Sequence, residues 1–324
     1  MAANTSSKQV VYAALIGNIL ITIIKAGAAV WTGSAAMWSE AVHSFVDTGN
    51  ELLLLYGMRR AERQADAEHP IGYGRELYFW SFIVALLVFA LGAGVSIYEG
   101  VLQLATPQEI NDPFVSYAVL GLAFVFDGAS WVISINQFKA SKGTLGYYEA
   151  FRHSKDPATF IVLFEDSVAL IGIVIAAIST YLATSLGIIA ADGVASILIG
   201  LILAGTAGLL ARESKSLLIG ERADRRLSDS MLSIANQISP SVKTNGVLTV
   251  QLAPDQILAA MSIEFADHLK TSQIETMVVD IEQKIREVHP EVVTFFVKPQ
   301  TAVAFKESVQ RRFGLLNSPP EKST

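Results

Sequence analysis

The stretch "SEAVHSFVDTGNELLLLYG", residues 39–57, decides how the chain is read. It is helical in pattern and mostly apolar, yet it carries His43, Asp47, Asn50 and Glu51. Four residues make about one helical turn, so His43 and Asp47 project from one face, one above the other. Asn50 and Glu51 continue that face. An imidazole and a carboxylate at this spacing can hold one divalent ion, by the geometry that lets HExxH hold zinc. Whether that face matters depends on what solvent surrounds the helix.

Bulk composition answers that. The 324 residues are 52% apolar and only 17% charged, with mean hydropathy +0.43. A soluble protein carries about 25% charged residues. Six apolar segments approach the roughly 20 residues a helix needs to cross a bilayer. They lie at about 10–31, 37–58, 77–104, 114–138, 158–183 and 187–211. The expected fold is therefore an α-helical polytopic membrane protein with six transmembrane helices over residues 1–211.

After Ala211 the composition becomes mixed and charged. Residues 212–300 read as a small cytoplasmic α-β-β-α-β domain, its helices on one face of the sheet. A capping box, Ser272 with Glu275, is expected to open the second helix. Residues 301–324 are polar, contain Pro, and are expected to be a disordered tail.

Orientation follows from Lys and Arg. Residues 76–138 and 156–211 contain neither. The basic residues gather at Arg59, Arg60, Arg63 and Arg75, at Lys139, Lys142, Arg152 and Lys155, and from Arg212 onward. With six spans these clusters fall on one side together with both termini. That side is the cytoplasm, and the membrane is expected to be a bacterial inner membrane. The N-terminal residues resemble neither a signal peptide nor an Arg-rich transit peptide.

A charged side chain at the centre of a span costs about 2.5–3.5 kcal/mol on insertion scales. Lys25, His43, Asp47, Glu51, Asp127, Glu165 and Asp166 all fall inside spans. They must face the bundle or a wet cavity. Ion binding would offset the burial of His43 and Asp47, with Asp166 approaching from the fifth span. Lys25 reads as a structural ion pair. For Asp127 three roles stand open: metal ligand, proton carrier, or partner of Lys25.

Several classes are excluded or disfavoured. Net charge −6 gives nucleic acid no basic surface. The chain has no Cys, which removes disulfides, thiolate catalysis and soft Cu⁺ sites. No HExxH and no nucleophile–base pair points to an enzyme.

"GSAAMWSEAVHSFVDTGNE", "HPIGYGRELYFWS" and "ADGVASILIG", in that order, resemble the cation diffusion facilitator family of metal/proton antiporters. "DPATFIVLFEDSVALIGIVIAA" with "ESKSLLIGE" resembles the branch that includes the mitochondrial zinc exporter. The resemblance covers most of residues 10–300. It implies six helices, a cytoplasmic metallochaperone-like domain, a homodimer, and export of Zn²⁺ or another divalent transition metal against protons. It also implies metal ligands at His43, Asp47 and Asp166.

The chain departs from the family pattern twice. The second ligand on the fifth span falls at Val162, which cannot ligate. The fourth ligand is then water, Asn50, Glu165 or Asp127. Glu165 and Asp166 point about 100° apart on a helix, which argues against both reaching one ion. In the loop, Tyr73 stands where the family has His, so His69, with Asp66 and Glu68 beside it, reads as structural. In the tail domain His268, near Glu264 and Asp267, and His289 read as surface residues. The rival to a transporter is a non-transporting metal sensor or heteromeric partner subunit.

Overall fold

A computed structural model describes residues 2–32, 35–106, 113–142, 146–147, 150–151 and 154–313; side chains are described from residue 8, except at 28–29, 31–43 and 141. The chain divides into two units, Met1–Ile219 and Gly220–Thr324. The division lies eight residues beyond the composition change at Ala211. Helix continues through "RESKSLLI" because Leu210, Ser214 and Leu217 keep one face buried. Gly220, at φ 104°, then ends it in a conformation that costs glycine little.

Among the described residues, unit one holds six long helices. These are α1 (Ala2–Thr32), α2 (Ala35–Ala61), α3 (Glu76–Ala105), α4 (Pro113–Lys142), α5 (Pro157–Ser185) and α6 (Ala190–Ile219). α3 contains one π-helical turn at Val88–Ala93. Among the described residues, five helices are long and apolar enough to span a membrane, and α2 is not one of them. Its 27 residues would reach about 40 Å, which is ample length. Over its described side chains, residues 44–61, the polar Asp47, Asn50 and Glu51 and the terminal Arg59 and Arg60 lower its hydropathy.

α1 packs on α2 and α4, α2 on α3, α3 on α6, and α5 on both α4 and α6. A shared core joins Leu54 and Met58 of α2, Tyr78 and Val84 of α3, Ile161 and Val162 of α5, and Leu210 of α6. Large apolar side chains such as Ile23, Phe45, Phe124 and Leu201 point outward. In a bilayer that outward face meets lipid, which is as apolar as the core.

"ADGVASILIG" owes its small residues to a helix crossing. A Cβ at Gly193 would stand 2.8 Å from the Gly100 carbonyl oxygen, and one at Gly100 would stand 2.7 Å from that of Gly193. A Cβ at Gly200 would meet Ile97 at 2.6 Å. The backbones of α3 and α6 thus touch along this seam, and Ser196 Oγ donates to the Ser96 carbonyl at 2.7 Å.

Unit two runs α7 (Arg225–Ile238), β1 (Val242–Ala253), β2 (Gln256–Phe265), α8 (Thr271–Val288), β3 (Val292–Pro299) and α9 (Ala302–Phe313). β2 is central, antiparallel to β1 and parallel to β3. Met231 and Ala235 of α7 and Ile281 and Ile285 of α8 pack on Ala259, Met261 and Ile263 of β2.

Two expectations are corrected here. α8 opens two residues earlier than a Ser272–Glu275 box would set: Gln273 Oε1 accepts the Lys270 amide at 2.9 Å. The segment expected to be disordered from 301 begins instead with α9. Phe305 anchors it over Gly246 of β1, where a Cβ would lie 2.6 Å from the ring. Asn245 Nδ2 also donates to the Gln300 carbonyl at 2.7 Å. Residues 314–324 lie outside those described.

Candidate metal centre

Every group of interest in unit one sits on a helix that had to bury it. Asn50 is 1% exposed, Glu51 2% and Asp166 8%. Asp47, Asp127 and Glu165 are half-buried. The His43 side chain lies outside the described residues, so the α2 face is described from Asp47 onward.

The two halves of the expected site are on helices that do not pack side by side. α2 leans on α1 and α3, whereas α5 leans on α4 and α6. Long polar side chains bridge them: Asn50 Nδ2 donates to Glu165 Oε1 at 3.5 Å. Asp47, Glu51, Glu165 and Asp166 lie close enough to feel one another's charge. Among the described residues, no three His, Asp or Glu side chains converge at metal-holding distance.

α5 has two working faces. Leu163 packs against Phe138 of α4, and the same face carries Asp166 and Ser167. Ser130 Oγ donates to Asp166 Oδ2 at 2.7 Å, and Trp131 Nε1 donates to Ser167 Oγ at 2.9 Å. Ile161 and Val162 belong to the core shared with α2, and Glu165 stands one turn beyond them. Glu165 therefore reaches α2 while Asp166 turns to α4. The 100° separation of neighbours on a helix sends them to different partners.

Several polar contacts escape a reading that follows charge alone. Asn18 Nδ2 donates to Glu51 Oε1, and the Thr22 and Thr48 hydroxyls lie 3.3 Å apart. Asn18, Thr22 and Lys25 form an i, i+4, i+7 stripe on α1, which is the signal that could have found them. Asp127, Ser130 and Ser134 form a similar stripe on α4. Lys25 is itself buried, at 8% exposure. Among the described residues, the buried oxygens without a hydrogen-bond partner include Asn50 Oδ1, Glu51 Oε2 and Ser134 Oγ.

The loop after α2 is a built turn. Asp66 Oδ1 accepts the amides of Glu68 at 3.0 Å and His69 at 2.7 Å. Asp66 Oδ2 accepts the Tyr73 hydroxyl at 2.6 Å. Gly72, at φ 84°, makes the reversal, and the His69 and Tyr73 rings stack at 4.3 Å. The Tyr73 hydroxyl, then the His69 amide, hold the Asp66 carboxyl below the usual carboxylate range. The same Asp66 contact raises the Tyr73 hydroxyl. Tyr73 thus closes the turn with a hydrogen bond at the position where a His would offer a ligand.

In unit two His289 shares a hydrogen bond with Ser230 Oγ at 2.7 Å and faces Glu291 at 3.3 Å. It ties α7 to the start of β3. His268 and Asp267 are exposed and Glu264 is half-buried.

Comparison with known proteins decides the family. The profile of the cation efflux transmembrane domain matches residues 11–219. The chain belongs to the cation efflux family. It is a multi-pass integral membrane protein from a family of transporters rather than enzymes. It is similar to the human mitochondrial proton-coupled zinc antiporter SLC30A9, 30% identical over 299 residues, covering 90% of this chain and 52% of that one. The Xenopus laevis counterpart is 36% identical over 214 residues, covering 65% of this chain and 38% of that one. Metal tolerance protein C4 of Arabidopsis thaliana is 34% identical over 221 residues, covering 67% and 48%. The chain spans about half or less of the length of these relatives.

Proposed function

We propose that this chain transports a divalent transition-metal ion, with Zn²⁺ as the leading substrate, in exchange for protons. The observation that carries this reading is the set of buried carboxylates inside an apolar six-helix unit. Asp166 and Glu51 are almost fully buried, with Asp47 and Glu165 close by. Intramembrane groups of this kind mark ion pathways. Relatives named as proton-coupled zinc antiporters support the choice of metal and of coupling.

In this mechanism His43, Asp47 and Asp166 take the ion from the cytoplasmic side and release it on the other by alternating access. The ligands must shed protons to bind the metal. An imidazole titrates near ~6.5 when unperturbed, so protons compete with metal in the working pH range. Metal leaving one way and protons returning the other then use one site. The Lys/Arg asymmetry supports an orientation with both termini on the cytoplasmic side. The family resemblance supports a homodimer.

One observation favours a second reading. Val162, 1% exposed in the core, removes a family ligand, as a non-transporting sensor or partner subunit would allow. Flux by the purified chain in proteoliposomes separates the two. The transporter reading expects metal-driven proton movement that Asp47→Ala and Asp166→Ala abolish. Wild-type flux in both variants would refute the site assignment.

A further inference from the structure

We propose that Glu165 and Asn50 supply the α5-to-α2 closure of the cation site, in place of the ligand that Val162 withholds. The inference rests on the transporter reading above and refines its ligand set: with His43 and Asp47 these two make four, and Asp166, held by Ser130 of α4, is a neighbouring acidic group rather than a fifth ligand.

Three observations carry it. The first is direction. Asp166 is held by Ser130 of α4, whereas Glu165 faces α2, the helix that bears His43 and Asp47. The carboxylate of α5 that reaches α2 is thus Glu165.

The second is the orphaned amide oxygen. Asn50 is 1% exposed, and its Oδ1 has no hydrogen-bond partner. A buried carbonyl oxygen without a donor costs about 1–3 kcal/mol. A cation removes that cost. A half-turn of the amide exchanges Nδ2 for Oδ1, so the atom now donating to Glu165 is replaced by one that ligates beside it.

The third is spacing. Two oxygens bound to one tetrahedral zinc at 2.0–2.2 Å stand about 3.4 Å apart. Asn50 Nδ2 and Glu165 Oε1 are 3.5 Å apart, long for a hydrogen bond and close to that separation. Val162 lies three residues before Glu165, on the neighbouring turn of the same helix. A histidine placed there enters the same region.

The test is Zn²⁺ binding to the purified full chain by equilibrium dialysis, with thermal unfolding of every variant measured alongside. Wild type is compared with Asp47→Ala, Asn50→Leu, Glu165→Asp, Glu165→Gln, and Glu165→Gln combined with Val162→His. Glu165→Gln and Asn50→Leu are expected to weaken binding by roughly tenfold or more. Glu165→Asp keeps the carboxylate and most of the affinity, and Val162→His restores binding to Glu165→Gln. Wild-type affinity in Glu165→Gln overturns the inference, as does a loss that neither Glu165→Asp spares nor Val162→His repairs. If Asp47→Ala abolishes binding while Glu165→Gln does not, only this inference fails. If Asp47→Ala also binds normally, the underlying site reading fails with it.

Discussion

Glu165 and Asp166 are adjacent in the chain and face different helices. Glu165 accepts a hydrogen bond from Asn50 of α2, and Asp166 accepts one from Ser130 of α4. One helix therefore presents carboxylates to two sides of the bundle. The consequences can be tested separately.

Ser130→Ala leaves Asp166, buried at 8% exposure, without its donor. The loss is expected to cost about 1–3 kcal/mol of stability in the metal-free protein. Thermal unfolding of the purified protein reads it. Added Zn²⁺ should narrow the difference if the ion draws Asp166 into the site.

Val162→His in the otherwise native chain adds an imidazole beside an oxygen-rich site. Imidazole suits zinc, whereas carboxylate and carbonyl oxygens suit Mn²⁺ and Mg²⁺. Competition binding is expected to shift in favour of Zn²⁺ over Mn²⁺. An unchanged ratio would place residue 162 away from the ion.

The α3–α6 seam predicts a steric effect. Gly193→Ala puts a Cβ 2.8 Å from a backbone oxygen, which cannot move as a side-chain end can. Overpacking of this kind costs about 1–3 kcal/mol. Gly205→Ala, on the same helix with nothing within 4 Å of its Cβ, is the control and should unfold no earlier than wild type.

The loop after α2 predicts a pH window. Asp66 is shifted down, so its contribution is complete above the ordinary carboxylate value of about 3.9 and fades as pH falls below that. Tyr73 is shifted up, so its contribution is complete below about 10 and fades as pH rises further. The turn should hold between those limits. Tyr73→Phe removes the bond, and trypsin at pH 8 is expected to cut after Arg63 faster than in wild type.

Much of the fold was legible because hydropathy and strand alternation are local signals. α2 was legible for a different reason: its burial is inferred from the polar residues themselves. What stayed hidden depends on rotation and contact. Sequence places Glu165 beside Asp166, but only packing of Leu163 on α4 and Ile161 on the shared core sets which one faces α2. α9 was hidden because the contact of Phe305 with Gly246 joins residues far apart in the chain. Asn18 and Ser130 were passed over because neutral polar residues raise little alarm in an apolar span.

Proton movement driven by a metal gradient is the most direct test of the central claim. Purified chain is reconstituted into liposomes holding a pH-sensitive dye, and Zn²⁺ is added on one side. The account predicts a dye response that scales with metal entry, depends on the pH gradient, and disappears in Asp47→Ala. Metal entry with no proton movement, or identical traces from wild type and Asp47→Ala, would contradict it.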